Sequence, residues 1–268
     1  MKLSTIALIT AIVALVAVVG WRVHAMNSQT VNHFAVVADP SISYSGGCES
    51  TVGLAERVLH RPDISPNSKL LYLALGDRST ANEPRQLGTY DIPSSRRVME
   101  ARHANENRQL ALLRDVWEKC SSTRPTSISP IFLGIKEALS ALHAEGCRGG
   151  SRCVLYVSTD LEENVDPRLK NLLSGTGATK RLPKALDNTG VDVTFCGFAA
   201  AAGRIIDPTG REIRPVMGHD SSREDRMQQV WTSVFLDPTR VTFEPYCSLR
   251  TNPELHTATG ASLREVRP

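Results

Sequence analysis

The chain has 268 residues, of which 41% are hydrophobic and 22% charged, so it falls in the ordinary globular range and can bury one sizeable core. Its formal net charge of +3 is too mild for a nucleic-acid binder, because no Lys/Arg run interleaved with aromatics accompanies it. The class of partner must therefore come from motifs.

The chain opens with an uncharged stretch, Leu3 to Trp21, directly after Lys2. Its length and apolar character favour an uncleaved membrane anchor, while the basic start and Val23-His24-Ala25 also resemble a signal peptide with its cleavage site. The absence of a polar face argues against a buried core helix. Residues 1–25 are assigned to this segment, and on either reading the remainder lies outside the cytoplasm, in the periplasm or at the cell surface. The six cysteines form an even set, as in exported proteins with disulfides. Cys147 and Cys153 flank a flexible Arg148-Gly149-Gly150-Ser151-Arg152 turn and are the pair expected to bond, the alternative being partly buried thiols. No C-x-x-C pair occurs, which argues against a zinc ribbon or thioredoxin-like site.

From Val31 onward, apolar β-type runs alternate with amphipathic helical stretches, which predicts an α/β domain over 31–247 followed by a tail, 248–268. Phe34–Ala38 and Leu70–Leu75 read as strands covered on both faces, with a helix over Val52–His60 between them. Arg85–Ile92, bracketed by Pro84 and Pro93, reads as an edge strand. A helix follows from about Asn105 to Cys120, with Leu110, Leu113, Trp117 and Cys120 on its buried face. The next helix, beginning near Pro130, buries Ile131, Ile135, Leu139 and Leu142. Val154–Val157 is the clearest central strand and Val191–Phe198 the next. The last helix starts near Ser222 and buries Met227, Val230, Trp231 and Val234; Val241–Tyr246 then closes the sheet.

Three segments gather polar side chains where open α/β sheets collect ligands. Asp39-Pro40-Ser41-Ile42-Ser43 leaves the first strand as D-x-S-x-S, so alternate side chains converge. Ser129 opens a helix, with Thr126 a nearby alternative, and Asp160 ends the central strand in Val157-Ser158-Thr159-Asp160. Asp39, Ser41, Ser43, Ser129 and Asp160 are hard oxygen donors suited to Mg²⁺, or to Mn²⁺ or Ca²⁺. Water would complete the shell, with one position open to an acidic group of a partner. Each residue also has a plainer reading: a strand-ending turn for D-x-S-x-S, a helix cap for Ser129, a turn or cap for Asp160. The acidic cluster Glu162, Glu163 and Asp166 reads as a solvated loop that could tune partner charge.

With these motifs in this order, the chain resembles the von Willebrand factor A family over roughly Val31 to Tyr246. The family's metal-ion-dependent adhesion site combines D-x-S-x-S, a downstream Thr and a later Asp. The resemblance implies a Rossmann-like open, mostly parallel sheet flanked by helices on both faces, with Asp39, Ser41, Ser43 and Asp160 as ligands. Ser129 stands nearest the family's Thr, and Leu161 replaces the Gly that usually follows the Asp. The resemblance and the export segment together predict a non-enzymatic, extracytoplasmic binding module that uses a divalent metal to hold a protein partner. A metal-assisted hydrolase or phosphatase is the rival, but the segment lacks the second Asp of D-x-D and no His or Lys is placed as acid or base. A scaffolding domain with a degenerate site is the third reading. The Ser174–Lys180 loop lacks phosphate-loop spacing, and the seven histidines include no H-E-x-x-H.

Overall fold

The computed structural model describes residues 15, 31–41, 47–61, 63–75, 85–92, 102–123, 129–148, 152–163, 165–174, 186–198, 205–206, 212–213, 221–244 and 247. The N-terminal apolar segment apart from Leu15, the expected ligand Ser43, the Ser129 alternative Thr126 and the tail lie outside them. Among the described residues no helix is long and apolar enough to cross a membrane.

In chain order the elements are β1 (Val31–Ala38), α1 (Gly47–Leu59), β2 (Ile64–Ala74), β3 (Arg85–Asp91), α2 (Arg102–Ser122), α3 (Ile131–Ala144), β4 (Arg152–Ser158), α4 (Pro167–Leu173), β5 (Val191–Cys196), β6 (Ile205–Ile206), β7 (Glu212–Ile213), α5 (Ser221–Ser233) and β8 (Val241–Glu244). Six strands form one sheet in the order β3-β2-β1-β4-β5-β8, while β6 and β7 make a separate two-stranded ribbon. All neighbours in the large sheet run parallel except β3, which lies antiparallel on β2 at one edge. This mixed, mostly parallel sheet with helices on both faces fits a von Willebrand factor A or Rossmann-like α/β architecture.

Strand alternation divides the core into two layers. Phe34, Val36, Tyr72 and Tyr156 face α1 and α2, whereas Ala35, Val37, Leu155, Val157 and Phe195 face α3, α4 and α5. This is why Phe34–Ala38, Leu70–Leu75 and Val154–Val157 in β1, β2 and β4 read as nearly unbroken apolar runs: both of their faces are covered. On the second face Phe195 stacks on Phe243 and meets Trp231 and Phe235.

α3 buries Ile131, Ile135, Leu139 and Leu142, as its periodicity predicts. Its seat on the sheet is unusually close, since a Cβ added at Gly134 would come within 2.1 Å of the Leu75 side chain and 3.3 Å of Val37. Other elements differ from expectation. α1 begins at Gly47 rather than Val52, and β2 begins at Ile64. The buried stripe of α2 is Leu112, Leu113, Val116 and Cys120, leaving Leu110 at 37% exposure. The Cys48–Cys120 disulfide ties α2 to α1 and helps turn Cys120 inward. α4 and the β6–β7 ribbon were not predicted: α4 has only seven residues, and each ribbon strand only two.

All six cysteines pair. Cys147–Cys153 forms as expected across the α3–β4 turn, with Cα atoms 5.8 Å apart. Cys48–Cys120 and Cys196–Cys247 close loops of 72 and 51 residues. Three disulfides fit an oxidising compartment outside the cytoplasm.

Candidate metal centre

β1 and β4 are neighbours, and the connection after β1 leads to β2 on one side while that after β4 leads to β5 on the other, so a crevice opens at their C-terminal ends. Asp39 is the first residue past that end. Its backbone N–H donates to the Ser158 carbonyl at 2.9 Å, which extends the β1–β4 ladder by one step and anchors the Cα. Among the described residues, Ser41, Ser129 and Thr159 hydrogen-bond to the carboxylate. Ser41 N–H donates to Oδ1 at 2.9 Å in a local turn, Ser129 Oγ donates to the same oxygen at 3.1 Å, and Thr159 Oγ1 donates to Oδ2 at 3.0 Å. Ser129 is not the cap of α3. Pro130 occupies the cap position without a side-chain hydrogen bond, and the Ser129 hydroxyl turns to the aspartate instead.

Asp160 lies at the end of β4, beside the same crevice, and is 5% exposed against 1% for Asp39. Burial, and next the charge of Asp160, push the Asp39 carboxyl up from its ordinary value to about 6; the Ser41 and Thr159 hydrogen bonds hold it back. Among the described residues neither carboxylate has an ion-pair partner. Two buried like charges without a counter-charge are costly, and a cation between them would remove the cost.

The turn after β4 is held from three sides. Leu161 adopts a left-handed backbone, φ 67°, where the resembled family carries Gly, which takes this conformation freely. Its side chain is wholly buried in the second core layer, its N–H donates to Thr159 Oγ1 at 3.2 Å, and its carbonyl accepts from the Trp231 indole at 3.1 Å. The Glu162 N–H donates to Asp160 Oδ1 at 3.0 Å, and the Glu162 side chain pairs with Arg223.

The solvated-loop reading of the acidic cluster is corrected at Glu163. Glu163 is buried: Oε2 accepts from the Phe132 N–H at 2.8 Å, and Oε1 from Val165 and Asp166 N–H at 2.7 and 3.1 Å. It thereby caps the otherwise uncapped start of α3 and pins the β4 turn to the helix that follows Ser129. Burial pushes its carboxyl above the ordinary value, and the three N–H donors restrain the rise. Asp166 caps α4 through the Arg168 and Leu169 N–H groups. Glu162 and Asp166 both stay partly exposed, and Glu162 pairs with Arg223.

Of the five residues singled out in the sequence, Asp39, Ser41 and Ser129 are joined by hydrogen bonds, and Asp160 bears on Asp39 through its charge. Thr159 and Glu163 were missed as parts of the site. For Thr159 the signal was its place in the strand-end run Ser158-Thr159-Asp160; for Glu163 no sequence signal separated it from its acidic neighbours. Among the described residues no group of three His, Cys, Asp or Glu side chains forms a metal cluster, so any cation here would be held by the two carboxylates together with hydroxyls. That donor set fits a hard divalent ion.

No protein-family model matches the chain, and no curated protein matches it. Solved structures similar to it include an aerotolerance-related membrane protein of Bacteroides fragilis, with 12% identity, 88% of this chain and 98% of that one covered, and a TM-score of 0.39. The ArnB paralog VWA2 of Sulfolobus acidocaldarius is similar at 12% identity over 63% of this chain, with a TM-score of 0.35, and the match spans 35% of that protein. The manganese-loaded TRAP protein of Plasmodium vivax is similar at 13% identity over 72% of this chain and 66% of that one, with a TM-score of 0.36. Identities and TM-scores this low leave the reading of the site to its own geometry.

Proposed function

We propose that the domain is a von Willebrand factor A-type binding module, outside the cytoplasm and without enzymatic activity. It holds a divalent cation, Mg²⁺ or Mn²⁺, through Asp39, Ser41, Ser43, Ser129 and Asp160, and uses the ion to grip an acidic residue of a protein partner. The N-terminal segment would tether the module to a membrane or direct its export. One observation carries the reading: two buried carboxylates share a strand-end crevice, their neighbours supply hydroxyls, and no counter-charge pairs with either among the described residues. The cation would supply that charge and an open coordination position; the protein's part is to preorient the oxygens.

The test is calorimetric titration of the full chain with Mn²⁺. Saturable binding is expected in the wild type, with at least a hundredfold loss in Asp39→Ala and an unchanged circular-dichroism spectrum. Mn²⁺ binding that survives this substitution would overturn the assignment. Mg²⁺-dependent phosphatase or esterase turnover that disappears in Asp39→Ala would replace the binding module with a hydrolase.

A further inference from the structure

A cavity of about 340 Å³ opens on the α1–α2 side of the sheet, beside the crevice. Its floor is Ala38, Tyr72 and Ala74 at the ends of β1 and β2, and the Cys48–Cys120 disulfide lines it from the helices. Ala38, Tyr72 and Ala74 share one face of the sheet, so their side chains turn toward the helices together. The size lies at the lower end of the range for small-molecule sites.

The polar content of this cavity is what singles it out. Tyr72 is 1% exposed, and among the described residues its hydroxyl is the one buried side-chain polar atom without a hydrogen-bond partner. Thr51 lies near enough to the phenol to restrain its pKa as a weak hydrogen-bonding neighbour, but it falls short of hydrogen-bond geometry and donates to the Gly47 carbonyl at 3.3 Å instead. A buried hydroxyl left unpaired costs free energy that Phe at this position would avoid. Asp39 also lines the cavity, but both of its oxygens are engaged by Ser41, Ser129 and Thr159. Its charge disfavours an anionic guest, and a cationic one would have to displace those hydrogen bonds.

We propose that this cavity binds a compact, uncharged, mostly apolar molecule, aromatic or alicyclic, carrying one hydroxyl that pairs with the Tyr72 hydroxyl. The disulfide and the two alanines supply the apolar walls, and a phenolic oxygen both donates and accepts, so either sense of pairing is open to it. The cavity borders the candidate cation site, sharing Asp39 and Ser41 in its lining, but the pairing with Tyr72 needs no metal.

The probes are 4-ethylphenol and its hydroxyl-free analogue ethylbenzene, titrated in EDTA into the full chain in lipid nanodiscs at matched free concentrations. The alanine methyls are labelled for NMR, because Ala38 and Ala74 report occupancy directly. Saturable shifts of both methyls are expected with 4-ethylphenol, with ethylbenzene about tenfold weaker, the effect of one buried hydrogen bond. Tyr72→Phe should fold, since it only removes the hydroxyl, and should erase the difference between the probes. Ala74→Leu should exclude both. The proposal is overturned if neither methyl moves, if the shifts never saturate, or if wild type binds the two probes equally. Ala74→Leu binding as wild type does would overturn it too.

Discussion

Asp192 and Asp39 belong to strands of one sheet yet meet opposite surroundings. Asp192, near the start of β5, accepts from Arg152 at 2.9 Å and from Arg240 at 3.0 Å, so two guanidiniums balance its partly exposed carboxylate. Asp39, just past the end of β1, is buried among hydroxyls and a backbone N–H, with the Asp160 charge close by. At one end of the sheet the protein supplies its own counter-charge. At the other it concentrates negative charge and none of the described residues balances it, and on this contrast the proposed cation site rests.

Three measurements put that contrast to the test. The largest effect is expected from pH in the absence of metal. The Asp39 carboxyl is raised from 3.8 to about 6, so between those values the native state holds a proton that the unfolded state has released. Stability in EDTA should therefore fall as pH rises through this window, by on the order of 3 kcal/mol. Urea unfolding at intervals across it should show the decline in wild type and its loss in Asp39→Asn. A wild-type profile that matches the variant would remove the electrostatic basis of the contrast.

Next in size is Gly134→Ala. A methyl there meets the buried Leu75 side chain, and overpacking costs about 1–3 kcal/mol, offset by up to about 1 kcal/mol of helix propensity. Thermal unfolding should show a net loss of about 1–2 kcal/mol. Mn²⁺ affinity should fall as well, because α3 carries Ser129 toward Asp39. An unchanged affinity would detach Ser129 from the site. The smallest effect is expected for Asp192→Asn, because partly exposed ion pairs contribute under about 1 kcal/mol. Chemical denaturation should detect little change, and Mn²⁺ titration none.

Much of the architecture is legible along the chain. β1, β2 and β4 announce themselves through the apolar runs Phe34–Ala38, Leu70–Leu75 and Val154–Val157, because a strand covered on both faces has no solvated side for polar positions. The buried stripe of α3 follows from its 3.6-residue period. Cys147 and Cys153 are close enough in sequence for their turn to imply the bond. α2 shows where this fails: Leu110 is as apolar as Leu112, but packing against α1 and the Cys48–Cys120 link turn Leu112 and Val116 inward.

For the site, Asp39, Ser41 and Asp160 stand out because strand ends are local features and each lies within three residues of the end of a β-type run. The roles of Ser129 and Thr159 were decided by the tertiary structure, since a hydroxyl 90 residues downstream of Asp39 in the sequence and another 120 downstream meet one carboxylate only when α3 and β4 are in place. Glu163 makes the point most clearly. It sits among acidic neighbours that a sequence cannot tell apart, and only the proximity of the α3 N-terminus turns it from a solvated charge into a buried cap. Periodicity and turn chemistry are properties of neighbouring residues and can be read along the chain. Burial and counter-charge depend on residues distant in sequence, so only the folded arrangement decides them.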